Sequence, residues 1–102
     1  MQIQQDVSAN RAVVSLSGVL TFDELEQMTP LMAEMKSGSL ESVCFDLSGL
    51  TSIDSAGIGM LLMANDRIAT DQTRFAIRGA QGVVAKSLQL ARISEVLTVA
   101  DT

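Results

Sequence analysis

Apolar and polar positions change period several times along the chain, and each change marks an element. Residues 1–7 alternate weakly, Ser8-Ala9-Asn10 is a turn signal, and Ala12 to Ser17 alternates again with Val14 and Leu16 on one face. The short polar link predicts an antiparallel hairpin, with Gly18 ending its second strand. Leu20-Thr21-Phe22-Asp23-Glu24-Leu25 then predicts a helix start. Thr21 is the N-cap, Glu24 completes a capping box, and Leu20 and Leu25 stand where a hydrophobic staple would put them. Leu25, Met28, Met32 and Met35 recur at helical spacing and read as a core stripe. Pro30 interrupts the stripe, so this helix is either kinked there or split, with Thr29 capping a second piece. Lys36-Ser37-Gly38-Ser39 is expected to end it.

Val43, Phe45 and Leu47 predict a buried strand over residues 42–47, followed by a polar turn in which Asp46 is expected to act as cap. A second helix is expected from about Ser55 to about Thr70, with Ile58, Leu61, Leu62, Ile68 and Ala69 on one face. A strand over 73–78 (Phe75 and Ile77 inward) ends at Gly79. A third helix over 80–92 turns Val84, Leu88 and Ala91 to the sheet, and a last strand covers 95–99. The order β-β-α-β-α-β-α-β predicts an α/β fold. Its mixed sheet has an N-terminal antiparallel hairpin, then parallel strands joined by right-handed crossovers, with helices packed against it. Residues 1–102 read as one domain, since no repeat, linker or low-complexity tract divides them.

Composition narrows the function classes. The chain has 102 residues, a hydrophobic fraction of 47% and a net charge of -5, from 7 basic and 12 acidic residues. That balance argues against nucleic acid as a partner. The longest apolar run, Ile58 to Ala64, is far short of a membrane span, and no signal peptide is visible, so the expectation is a cytoplasmic protein with no membrane insertion. The absence of histidine removes the commonest general base and metal ligand; no cofactor or metal site is expected. The lone Cys44 falls in the predicted buried strand and reads as a small core hydrophobe. Asp46 and Asp54 do not make an enzyme reading. There is no histidine base, no phosphate loop of the G-x-x-x-x-G-K type, and little room to enclose a substrate.

The chemistry concentrates at Asp54-Ser55-Ala56-Gly57. Asp54 is the expected N-cap and Ser55 the first helical residue. A hydroxyl there lies at the positive end of the helix dipole, beside N–H groups without helical partners, a setting that suits a phosphate. With Ile58, Leu61 and Leu62 turned inward, Gly59, Met60, Met63 and Arg67 point outward. Met60 and Met63 then either form an adaptable docking surface or cover a core edge. Gly57 and Gly59 either admit a partner's backbone or simply loosen the helix.

Phe45-Asp46-Leu47-Ser48 followed by Asp54-Ser55-Ala56-Gly57-Ile58-Gly59 resembles the STAS domain family, most of all its single-domain bacterial anti-sigma factor antagonists. Element order, length and the late Ser87-Leu88 to Ile93-Ser94-Glu95-Val96-Leu97 segment extend the likeness over nearly the whole chain. The resemblance implies a partner-binding switch rather than an enzyme. A serine/threonine kinase that is also an anti-sigma factor would phosphorylate Ser55. The unmodified protein would bind that kinase and free its target, and a metal-dependent serine phosphatase would reset it. Where relatives often carry a second hydroxyl, this chain has Ala56; where they often carry an acidic residue after the second strand, it has Thr21. The surface implied for partners comprises Thr21, Asp54, Ser55, Ala56, Gly57, Gly59, Met60, Met63 and Arg67. The alternative is a STAS subunit that docks, without phosphorylation, on the ATPase of a lipid-transport ABC complex. Small-ligand binding in a crevice at the strand ends is a third class.

Overall fold

The computed structural model describes residues 1–37 and 40–100. The elements are β1 (Gln2–Ser8), β2 (Arg11–Leu20), a 3-10 turn (Phe22–Glu24), α1 (Leu25–Ser37), β3 (Ser42–Ile53) and α2 (Ser55–Ile68). They continue with β4 (Arg74–Arg78), α3 (Gly82–Leu90), a second 3-10 turn (Ile93–Glu95) and β5 (Thr98–Val99). The strands lie side by side in chain order, with β1 antiparallel to β2 and every later pair parallel. This is the mixed sheet that the alternation of strands and helices predicts.

The period of two decides which face is buried. Ala12, Val43 and Phe75 share one row across β2, β3 and β4; Val14, Phe45 and Ile77 share the next, and all six are buried. The Phe45 and Phe75 rings meet edge to face, centroids 5.0 Å apart. Against these rows pack Met28, Leu31, Met32 and Met35 of α1, Met60, Leu61, Ala64 and Ile68 of α2, and Val84 and Leu88 of α3. The opposite face carries Val13, Ser15, Cys44, Asp46, Ala76 and Arg78, all half-buried. Parallel strands covered on both sides read as continuous apolar runs; here the alternation persists because one face stays open. Cys44 lies on that open face and not in the core, and partial burial raises its thiol pKa.

Several expectations are corrected. Gly18 does not end β2: it sits at φ 96° inside a strand that runs on to Leu20. The expected turn after Leu47 is strand as well. Two bulges hold it, since β3 inserts an extra residue opposite β2 between the pairs Ser15–Asp46 and Ser17–Gly49, and another between Gly18–Leu50 and Val19–Ser52. Asp46 therefore caps no turn. Its Oδ1 accepts the Ser48 N–H at 2.9 Å within the first bulge, and its Oδ2 accepts Arg78 Nε at 3.3 Å. The buried Leu50 keeps the bulged strand against the core.

Thr21 makes no side-chain cap, and a 3-10 turn precedes the helix in place of a capping box. Pro30 lies inside one unbroken α1, on its exposed side, where the missing N–H leaves a carbonyl to water. Thr29 is no cap: its hydroxyl donates to the Leu25 carbonyl at 2.9 Å. The expected helix stop at Gly38-Ser39 lies outside the described residues. Ala69 and Ala91 are exposed, just beyond the ends of α2 and α3, and the last strand shrinks to Thr98–Val99 because a 3-10 turn takes its expected start.

Candidate functional site

The bulged end of β3 delivers the chain to the site. Leu20 and Ile53 are paired in register at the last rung of β2 and β3. The next residue, Asp54, is extended (φ -105°, ψ -178°), and its N–H donates to the Leu20 carbonyl at 3.3 Å. Its carbonyl accepts the Ile58 N–H at 3.0 Å, and its Oδ1 accepts the Gly57 N–H at 2.7 Å, which is the expected N-cap in full geometry. The other carboxylate oxygen reaches out of the helix and accepts the Phe22 N–H at 3.4 Å. One side chain thus fixes both the start of α2 and the start of the 3-10 turn that leads into α1.

Ser55 is the first residue of α2 and is exposed. Among the described residues its hydroxyl has no hydrogen-bond partner, and neither do the backbone N–H groups of Ser55 and Ala56. These are the orphan donors of a helix start, facing water at the positive end of the dipole. Ala56 is half-buried. Asp23 in the neighbouring turn and Asp54 itself leave the surroundings acidic, the charge of Glu24 being met by the Met1 amino group at 3.8 Å.

Gly57 is buried, and its close approach is to its own chain. A Cβ there would collide with the Leu20 carbonyl oxygen and stand 2.7 Å from Ile53 Cγ1. It does not serve a partner's backbone. Gly59, by contrast, is exposed, with open space where a side chain would be.

Met60 is 2% exposed and belongs to the core, so it is withdrawn from the docking surface. The buried face of α2 is Gly57, Met60, Leu61, Ala64 and Ile68, rotated from the predicted one, with Ile58, Leu62 and Met63 packed along its margins. Met63 is half-buried. Arg67 is exposed but lies in the last turn of α2, about 18 Å along the axis from Ser55 at the usual helical rise. Thr21 is half-buried at the site's edge, its carbonyl accepting the Glu24 N–H at 2.9 Å.

Sequence reasoning missed Phe22 and Val19. Phe22 is 66% exposed and lies in the connection tied to Asp54, while Val19, 40% exposed, sits near the end of β2 opposite Ser52. The signal was available: Phe22 is an aromatic in a chain with three phenylalanines, set among Thr21, Asp23 and Glu24, and out of phase with the stripe of α1. Among the described residues no cluster of three His, Cys, Asp or Glu side chains converges to hold a metal, and no helix is long and apolar enough to cross a membrane. A crevice of about 480 Å³ lies between the ends of β4 and β5 and α3, lined by Ile77, Ala80, Leu88 and Ile93, and does not reach Ser55.

A half-open mixed sheet with an exposed serine at the head of the helix after its central strand defines a small α/β domain. The chain belongs to the STAS domain family: the family model described as "Mlab, STAS domain" matches residues 3–98. Among solved structures, an anti-sigma-factor antagonist (STAS) domain protein from Planctomyces limnophilus is 28% identical, with a TM-score of 0.81, covering 98% of this chain and 90% of that one. An anti-sigma factor antagonist from Mycobacterium paratuberculosis superposes with a TM-score of 0.86 at 17% identity, covering 99% of this chain and 86% of that one. The Bacillus cell fate determinant SpoIIAA, solved in its phosphorylated form, gives 0.71 at 19% identity, covering 98% and 92%. At the identities of the last two the likeness is one of fold. No match is found among curated proteins.

Proposed function

We propose that this protein is a phosphorylation-controlled interaction switch of the anti-sigma factor antagonist type, acting in the cytoplasm with Ser55 as phosphoacceptor. The observation that carries the reading is a free, exposed hydroxyl on a rigidly held helix start, beside two N–H groups without partners. The likeness to a Planctomyces limnophilus protein described as an anti-sigma-factor antagonist, at 28% identity, supports it.

In this reading a serine/threonine kinase that is also an anti-sigma factor docks over α2's start. Ser55 Oγ attacks the terminal phosphorus of the nucleotide that the kinase holds; the nucleoside diphosphate leaves and the hydroxyl proton passes to the kinase. A metal-dependent serine phosphatase reverses the change by hydrolysis. The phosphate adds about -1.5 to -2 charge at pH 7. The orphan N–H groups accommodate it, so the fold need not change. The surroundings, however, are already acidic through Asp54 and Asp23, and a partner surface fitted to a neutral hydroxyl meets a bulky anion. Binding is lost by repulsion and steric block.

The partner-facing residues are then Ser55, Ala56 and Gly59, with Asp54 and Gly57 shaping the surface from beneath, Thr21, Phe22 and Val19 at its edge, and Met63 and Arg67 further along α2. The test is capture from a bacterial lysate on wild-type protein and on Ser55→Asp. A kinase-type ATPase recovered by the wild type alone supports the switch. Equal recovery of transporter subunits on both proteins would replace it with the subunit of a lipid-transport ABC complex.

A further inference from the structure

We propose that β1 is a self-association edge, and that two copies of this chain pair β1 against β1 about a two-fold axis centred on Gln5. The observations are independent of the Ser55 reading. β1 is an outer strand whose residues are all exposed except the half-buried Ile3, and its seven pairs with β2 run without a bulge. Outer strands are normally blunted by proline, charged side chains, a bulge or shortness. Of these β1 has only the single charge of Asp6.

Which backbone groups face outward follows from the hairpin. Ala9 and Asn10 both have positive φ, 51° and 65°, the signature of a type I′ two-residue turn. The flanking pair Ser8–Arg11 then exchanges both hydrogen bonds, and so do Asp6–Val13, Gln4–Ser15 and Gln2–Ser17. The N–H and C=O groups of Ile3, Gln5 and Val7 therefore point away from the sheet.

With the axis at Gln5, Gln5 faces its own copy, Ile3 faces Val7, and Gln4 faces Asp6. All three outward residues of each chain are used, giving roughly six inter-chain bonds, two per pair. Opposed residues share a face. Val7, 57% exposed in the single chain, meets Ile3 on the side of the helices, while the Asp6 carboxylate meets the Gln4 amide on the open side. Moving the axis one residue toward Asp6 sets carboxylate against carboxylate. Moving it the other way sets Val7 against Met1, whose amino group lies 3.8 Å from Glu24 Oε2. The opposite outer strand, β5, has only two residues, so association stops at a closed dimer.

The experiment is sedimentation of the full chain up to about 1 mM, the range in which an interface below standard size self-associates, beside Gln5→Pro and Gln4→Asp. Gln5→Pro removes only an outward N–H and fits an edge strand. It should keep the wild-type circular dichroism and sediment as a monomer throughout. Gln4→Asp, which leaves the backbone untouched and opposes two carboxylates, should weaken the dimer at least about tenfold, and more at low salt. Gln5→Cys should oxidise to a covalent dimer, since opposed residues of such a pair stand about 5.5 Å apart at Cα. A wild type that stays monomeric, a species larger than a dimer, or a dimer indifferent to both Gln4→Asp and Gln5→Pro would overturn the proposal. If Gln5→Pro fails to fold, Gln4→Asp and Gln5→Cys still decide.

Discussion

Asp54 joins Phe22 to Gly57: its carboxylate takes the N–H of Gly57 at 2.7 Å with one oxygen and that of Phe22 at 3.4 Å with the other. The first bond is a helix cap; the second couples the α2 start to the loop before α1. Replacing Asp54 by alanine removes both and should lower stability by about 1 kcal/mol, in the usual range for a lost cap. Asn keeps an acceptor for Gly57 and should lose less. Urea unfolding of the two variants checks the order. If Phe22 belongs to the partner surface, Asp54→Ala should also weaken partner binding more than Asp54→Asn does.

Gly57 answers to a different constraint. The backbone of β2 at Leu20 occupies the space that its side chain would need, and a carbonyl cannot rotate aside as a side chain can. Gly57→Ala should cost about 2 kcal/mol or more, as overpacking against a fixed neighbour does, even though alanine is the better helix former. Gly59→Ala, four ångströms clear of any neighbour, should gain up to about 1 kcal/mol from the same propensity. Opposite signs for two glycines two residues apart would show in parallel thermal melts. Equal effects would mean that Leu20 yields.

These residues also show what was legible beforehand. The cap at Asp54 and the core rows Val14–Phe45–Ile77 are local or strictly periodic, and the sequence carries both signals directly. The course of β3 beyond Leu47 is different. Ser48, Gly49, Thr51 and Ser52 have the composition of a turn, and only pairing with β2, more than thirty residues earlier in the chain, makes them a strand. Hydrophobic periodicity also misplaced the face of α2. The buried face includes Gly57 and Ala64, the residues with least side chain and so least hydrophobic signal, while the large Ile58 and Leu62 sit at the margins. Met60 was misread for that reason. Phe22 escaped because it was counted as part of a helix start and not as a surface group.

Asp46 should make stability depend on acid. The Ser48 N–H, then the Ser48 hydroxyl, and only after them Arg78, hold its carboxyl below the usual carboxylate range. The unfolded chain then binds the proton more readily than the folded one, so the contribution is complete above the unfolded pKa. It is lost as pH falls through the carboxylate range toward the lower folded pKa. Urea unfolding from about pH 7 to about pH 3 should show stability falling on the acid side. Asp46→Asn should flatten part of that slope. Arg78→Met should flatten less, because the Ser48 bond is the larger cause and survives the change. A larger effect from Arg78→Met would reverse this order of causes.

Met60 and Met63 separate core from surface on one helix. Met60 is 2% exposed among Leu61, Ala64 and the sheet, so Met60→Ala removes buried methylenes and leaves a cavity. The expected cost is about 2–5 kcal/mol. Met63 is half-buried at the margin, where neighbours and water can fill the gap, and Met63→Ala should cost clearly less. Partner capture should order them the other way once unfolding is allowed for. At a temperature where both variants are fully folded, Met60→Ala should bind the kinase as the wild type does, since the side chain never reaches the surface. Any weakening should appear at Met63. Should folded Met60→Ala lose the partner while Met63→Ala keeps it, α2 must rotate on docking, and the exposed face drawn from the free protein would not be the one the partner meets.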